Sequence, residues 1–178
     1  MQQSYLADYI NRISGVEHDE VMNALRDILG SGDTLFDSSN VPVSHTGDTV
    51  ETEVAGVDLP SLQENDVIRF MSLWSTPGGS ANNKTGRVRL GGLTGTQYMS
   101  ITNTTQLSIW EIRTISNRNS VTSQIGRAIS AGMGSSSGAV ITSAIDTSIS
   151  KRLSFTAQLA LATESITLEQ YYVELLRK

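Results

Sequence analysis

Cysteine is absent from the 178-residue chain, which excludes a disulfide framework, a thiolate nucleophile and Cys-ligated zinc. Histidine is scarce. His18 and His45 both precede residue 49, so a histidine-based metal centre or a Ser-His hydrolase would find no histidine in the rest of the chain. No apolar run reaches the roughly 20 residues needed to cross a bilayer. The opening MQQSYLADYI lacks a basic stretch followed by an apolar core, and the chain is expected to be soluble and unsecreted. Aromatic residues are 6% of the total, and the basic residues stand singly without aromatics between them, which argues against a nucleic-acid platform.

Small hydroxyl residues are abundant instead. The 24 Ser and 18 Thr, with 15 Gly and only 17% charged residues, suit short strands and turns better than helix surfaces. The net charge of −5 hides a division: residues 1–66 hold 13 acids against Arg12 and Arg26, whereas residues 67–178 hold 11 Lys and Arg against five acids. An acidic leading segment can pair with a basic body or a basic partner. The length predicts one domain with an appendage, large enough to bury a core unaided.

Two short amphipathic helices are expected in the first 30 residues. Leu6, Ile10 and Ile13 recur at helical spacing between Ser4 and Gly15, and Val21, Leu25 and Ile28 form a second stripe that ends at Gly30. Neither helix is stable alone, so these six apolar residues are the candidate docking contacts of an arm over residues 1–45, its second half a polar linker lying along a surface. From Thr49 the apolar period becomes two. TVETEV, RVRL and LSFTAQLAL alternate cleanly, the last with one core face and one solvent face, and further strands are expected near residues 67–74, 98–102, 106–115, 120–129, 139–145 and 168–176. Eight or nine strands predict a mainly β chain, an antiparallel sandwich or barrel over residues 46–178. VIRFMSLW and SIWEIRTI are apolar on both faces, and this marks Val67, Phe70, Trp74, Ile109, Trp110 and Ile112 as the candidate subunit face.

Signals for catalysis are weak. GGSANNKT resembles a phosphate loop at Lys84 and Thr85, but Asn83 stands where a glycine belongs and a strand follows, so a hairpin loop is the better reading; GMGSSSG reads as a turn. Glu51 and Glu53 share a strand face as a glycosidase pair would, yet Arg87 and Arg89 can neutralise them. Asp33 and Asp37 lack a calcium-loop ligand series. His45 is expected in a solvated loop. Trp74, Trp110, Tyr98, Tyr171 or Tyr172 can stack on a sugar, although apolar neighbours favour the core for both tryptophans. No enzyme activity, cofactor or metal is expected.

The order of segments is informative in its own right. A helical start and polar linker, then TGDTVETEV, LPSLQENDVIRF, NNKTGRVRLGG and the ending ITLEQYYVELLRK, resemble over residues 46–178 the tailed-bacteriophage virion proteins with a C-terminal jelly-roll domain. In that group LPSLQENDVIRF leads into the second strand and NKTGRVRLGG gives a strand followed by a tight glycine turn. The resemblance implies a capsid decoration (cement) protein, or a tail-fibre, head-fibre or baseplate knob that binds host glycan, commonly as a homotrimer. It carries over no site residue. With only about 45 residues before the body and no sustained heptads for a shaft, the decoration role is expected: a homotrimer on the major capsid protein at the capsid surface, assembled in the host cytoplasm, without nucleic-acid or membrane partners. A jelly-roll lectin or carbohydrate enzyme is the reading from another class.

Overall fold

Alternating apolar residues become strands wherever one face can be buried against another sheet. A computed structural model describes residues 34–78, 80–129 and 137–178, all within the unit Asp33–Lys178. The expected helices, with Leu6, Ile10, Ile13, Val21, Leu25 and Ile28, lie outside the described residues. Those described form eleven strands and no helix: β1 Thr34–Ser39, β2 Val43–Thr46, β3 Thr52–Leu59, β4 Val67–Ser75, β5 Lys84–Leu90, β6 Thr96–Asn103, β7 Ser108–Asn117, β8 Gln124–Gly126, β9 Ile141–Ser143, β10 Lys151–Leu159 and β11 Ser165–Leu176.

All pairings are antiparallel. One sheet runs β1-β11-β4-β7-β8-β9, with β2 also on β11, and the other runs β3-β10-β5-β6. The protein is therefore mainly β, as its composition indicates. The segment read as a linker differs from expectation. β1 pairs with residues 171–175 and β2 with residues 165–168, so the two make one edge strand, interrupted at residues 40–42 where Pro42 cannot donate to a ladder. The β4–β5 loop is not a hairpin either, because it passes from one sheet to the other. The hairpin is β5–β6, turned by Gly91 and Gly92 at φ +97° and +84°, a region closed to most side chains.

The two sheets bury a common core. β10 supplies Leu153, Phe155, Ala157 and Leu159; β4 supplies Ile68, Phe70 and Trp74; β11 supplies Ile166, Leu168, Val173 and Leu175. Phe70 of one sheet meets Phe155 of the other edge-on, with centroids 6.4 Å apart, and Phe155 stacks on Tyr171 at 4.7 Å. Trp74 fits because Gly86 faces it across the sandwich: a Cβ there would lie 2.8 Å from the indole. Its Nε1 donates to Ser72 Oγ at 3.0 Å, so no polar atom of the ring is orphaned.

A buried polar chain secures the β8–β9 side. Tyr98 OH meets Ser143 Oγ at 2.6 Å, Ser143 Oγ donates to Gln124 Oε1 at 2.9 Å, Gln124 Nε2 donates to Asn117 Oδ1 at 3.0 Å, and Asn117 Nδ2 donates to Thr147 Oγ1 at 2.9 Å. These bonds hold two three-residue strands that have little apolar surface of their own.

Candidate interaction face

The two sheets present opposite exteriors. On the smaller sheet, Ser154 and Thr156 were expected to face solvent, yet both are fully buried under charged side chains. Glu51 takes Arg89 at 2.7 and 3.0 Å, Arg87 at 3.3 Å and the Thr156 hydroxyl at 2.6 Å; Glu53 takes Arg152 at 2.6 Å and the Ser154 hydroxyl. Burial pushes both carboxyls up, but the arginine and hydroxyl hydrogen bonds, with the arginine charges, outweigh it and hold both below the ordinary carboxylate value. The pairing expected of Arg87 and Arg89 with Glu51 is present, and Arg152 is the partner for Glu53 that the sequence did not indicate. Engaged in this way, the two carboxylates lock β3 to β10 and β5 and are not poised for acid–base chemistry.

Lys84, the lysine of the phosphate-loop-like stretch, is also structural. Fully buried, its Nζ donates to the carbonyls of Asn82 at 2.9 Å, Thr104 at 3.1 Å and Ser80 at 3.4 Å, with Glu164 at 3.3 Å as counter-charge. The ammonium holds three loops at one end of the sandwich together. His45 corrects the expectation of a solvated loop: it is buried on β2 opposite Ile166, with Nε2 3.5 Å from Asp48. Asp37 accepts a bond from Tyr171 OH at 3.3 Å. Among the described residues no group of three or more metal-ligating side chains occurs.

The larger sheet is apolar outside as well as inside. In β4 alternation sends Ile68, Phe70, Ser72 and Trp74 inward and Val67, Arg69, Met71 and Leu73 outward. Phe70 and Trp74, expected in the subunit face, are fully enclosed and belong to the core. Ile109 packs against the core and is likewise no part of an open surface. Trp110 and Ile112 do project outward, 59% and 45% exposed, and Val67 lies farther along the same face.

Strand register sets the neighbours of that pair. Gln170, Leu73 and Trp110 form one row across β11, β4 and β7, and Tyr172, Met71 and Ile112 form the next. Together they line an open depression of about 310 Å³. Trp110 and Ile112 also line a second depression, of about 290 Å³, with Glu111 and Arg127. The rim is polar and internally paired, Arg69 with Glu174 and the Ser75 hydroxyl with Glu169. Met71 and Leu73 are the members the sequence did not single out; only the polar residue in each alternating set, Ser72 against Arg69, hinted which set faces inward.

Comparison with known proteins adds little to this geometry. No family model matches the sequence, and no curated protein matches it. Among solved structures, the CBM2 module of the evolved Dit of Lactobacillus casei BL23 phage J-1 is similar at 9% identity and a TM-score of 0.34, over 67% of each chain. Dimeric latent PorU from Porphyromonas gingivalis is similar at 7% identity and 0.36, over 82% of this chain and 13% of that one. Infectious bursal disease virus, Gx strain, is similar at 9% and 0.34, over 82% and 42%. The chain thus spans well under half the length of the last two. At these scores none of the likenesses assigns it a fold family or a function.

Proposed function

We propose that the chain is a non-enzymatic structural subunit of a bacteriophage virion and, within that class, a capsid decoration (cement) protein that binds and stabilises the shell of major capsid protein as a homotrimer. On this reading it needs no cofactor, its partners are copies of itself and the capsid protein, and its place is the capsid surface after assembly in the host cytoplasm. The observation that carries the reading is the two-sided exterior: one sheet sealed by its own ion pairs, the other open and apolar around Trp110 and Ile112. Such a subunit is built to be held between neighbours, since isolated soluble chains rarely leave a contiguous apolar face uncovered.

Topology supports the jelly-roll part. With β1 and β2 counted as one interrupted strand and β8–β9 set aside as an insertion, eight strands remain, in the orders 1-8-3-6 and 2-7-4-5. Those orders form a double Greek key. The resemblance of the segment order to phage virion proteins then selects the virion role, and an open apolar sheet face that can be pressed against a shell favours decoration over a projecting knob. Imaging particles assembled with and without the protein tests the proposal. Density at regular positions on the shell, present only when the protein is supplied, is the expected result; density confined to the tail tip would replace it with the knob reading.

The knob that binds host glycan is the second reading, favoured by one observation: Trp110 and Tyr172 share the same outer face. Saturable quenching of tryptophan emission by soluble glycans would support it.

A further inference from the structure

We infer that the outer face of the larger sheet, centred on Trp110, Ile112, Met71, Leu73 and Tyr172, is the surface on which another copy of this chain docks. The inference rests on the self-assembly in the functional reading above and assigns it to one face. Area is the first argument. The six strands of that sheet hold 43 residues, and at a strand spacing of ~4.8 Å and a rise of ~3.3 Å they span roughly 680 Å². A stable interface of standard size covers about 800 Å² on each partner. Two such faces together bury roughly 1,360 Å², inside the roughly 1,200–2,000 Å² of standard interfaces, so the face suffices for one partner of the chain's own kind when the partner covers nearly all of it.

Chemistry is the second argument. The centre has the composition of an interface hot spot, a Trp and a Tyr over an aliphatic floor with a polar rim. A sugar needs hydrogen-bonding groups beside its aromatic platform; the two central rows offer Gln170 and the Tyr172 hydroxyl, while Glu174 and Glu169 on the rim are bound to Arg69 and Ser75 and Glu111 beside Trp110 is bound to Arg113. The Arg69–Glu174 and Glu111–Arg113 pairs cancel, and Arg127 offsets Glu169 in number, so the face is close to neutral in formal charge. Two identical copies, each with a net charge of −5, therefore meet there with least repulsion, whereas a strongly basic or acidic partner would gain nothing from it.

Light scattering and tryptophan emission of the full chain over a dilution series test the inference. With Trp74 fully enclosed, Trp110 is the tryptophan whose emission responds to docking. The expected result is an oligomer at micromolar concentration with blue-shifted emission that moves red as dilution separates the copies. Trp110→Arg should weaken self-association about 30- to 700-fold, the range of hot-spot losses, and Ile112→Arg should act in the same direction. Both positions are largely exposed, so circular dichroism should show the parent fold, and Thr94→Lys in the exposed β5–β6 turn of the smaller sheet should leave the oligomer intact. Retention of the parent mass by both arginine variants would overturn this face while leaving self-assembly standing. A monomeric parent chain, or one whose Trp110 emission responds to glycan and not to dilution, would overturn self-assembly itself.

Discussion

Among individual residues, charge acts as an internal fastener. Glu51 binds β5 and β10 and Glu53 ties β3 to β10, and their depressed carboxyl pKa values link that fastening to pH. A carboxyl with a lowered folded pKa contributes stability that is fully present above its unfolded value, here the ordinary 4.5, and is lost as pH falls through the lower folded value. Stability should therefore hold near neutrality and decline below about pH 4.5, where the unfolded chain takes up protons first. Denaturation midpoints followed from about pH 6 to about pH 3 check this. Glu51→Gln should lower the midpoint at neutral pH and flatten the acid slope. A slope unchanged by the substitution would mean that other carboxyls control the acid limb.

At the scale of elements, legibility followed how local the cause is. β10 was legible in its core face, because strict alternation in LSFTAQL needs no partner to define it, but not in its other face, where Glu51 and Glu53 and their arginines bury Ser154 and Thr156. The choice between inner and outer sets in β4 was not, because both are apolar and the deciding fact is Gly86 opposite Trp74, on a strand of the other sheet. For the same reason Phe70 was misplaced into the outer face, and the two tryptophans, each read both as face and as core, divide: Trp74 lies in the core and Trp110 projects outward with Ile112. β1 and β2 escaped notice because an edge strand borrows its order from the ladder on β11 and needs no apolar alternation of its own. β8 and β9 depend on polar contacts in the same way. Gln124→Ala removes a donor to Asn117 and acceptors for Ser143 and the Ile145 amide. With buried polar groups left unpaired, a loss of about 2 kcal/mol is expected. Hydrogen exchange should quicken first in β8 and β9 while β4, β10 and β11 stay protected; uniform acceleration would show that this margin is part of the core's cooperative unit.

For the molecule as a whole, the position of β1 and β2 decides how a docking arm can be tested. The charge division and the two apolar stripes of the first 30 residues motivate an arm that orders on a partner. The polar stretch behind them is committed to the sheet: residues 34–39 and 43–46 cover one whole edge of β11, and His45 and the Tyr171–Asp37 bond lie inside that contact. Two truncations should therefore behave differently. Removal of residues 1–33 leaves in place every core side chain found among the described residues, and the product should unfold at a denaturant midpoint close to the parent's while failing to bind particles. Removal of residues 1–45 also bares the β11 edge, and an unpaired apolar edge invites pairing with other chains. This product should lose stability and aggregate, so its failure to bind would say nothing about an arm. Capsid binding by the first truncation at parental strength would show that residues 1–33 are dispensable for docking, and would transfer that role to the faces of the sandwich.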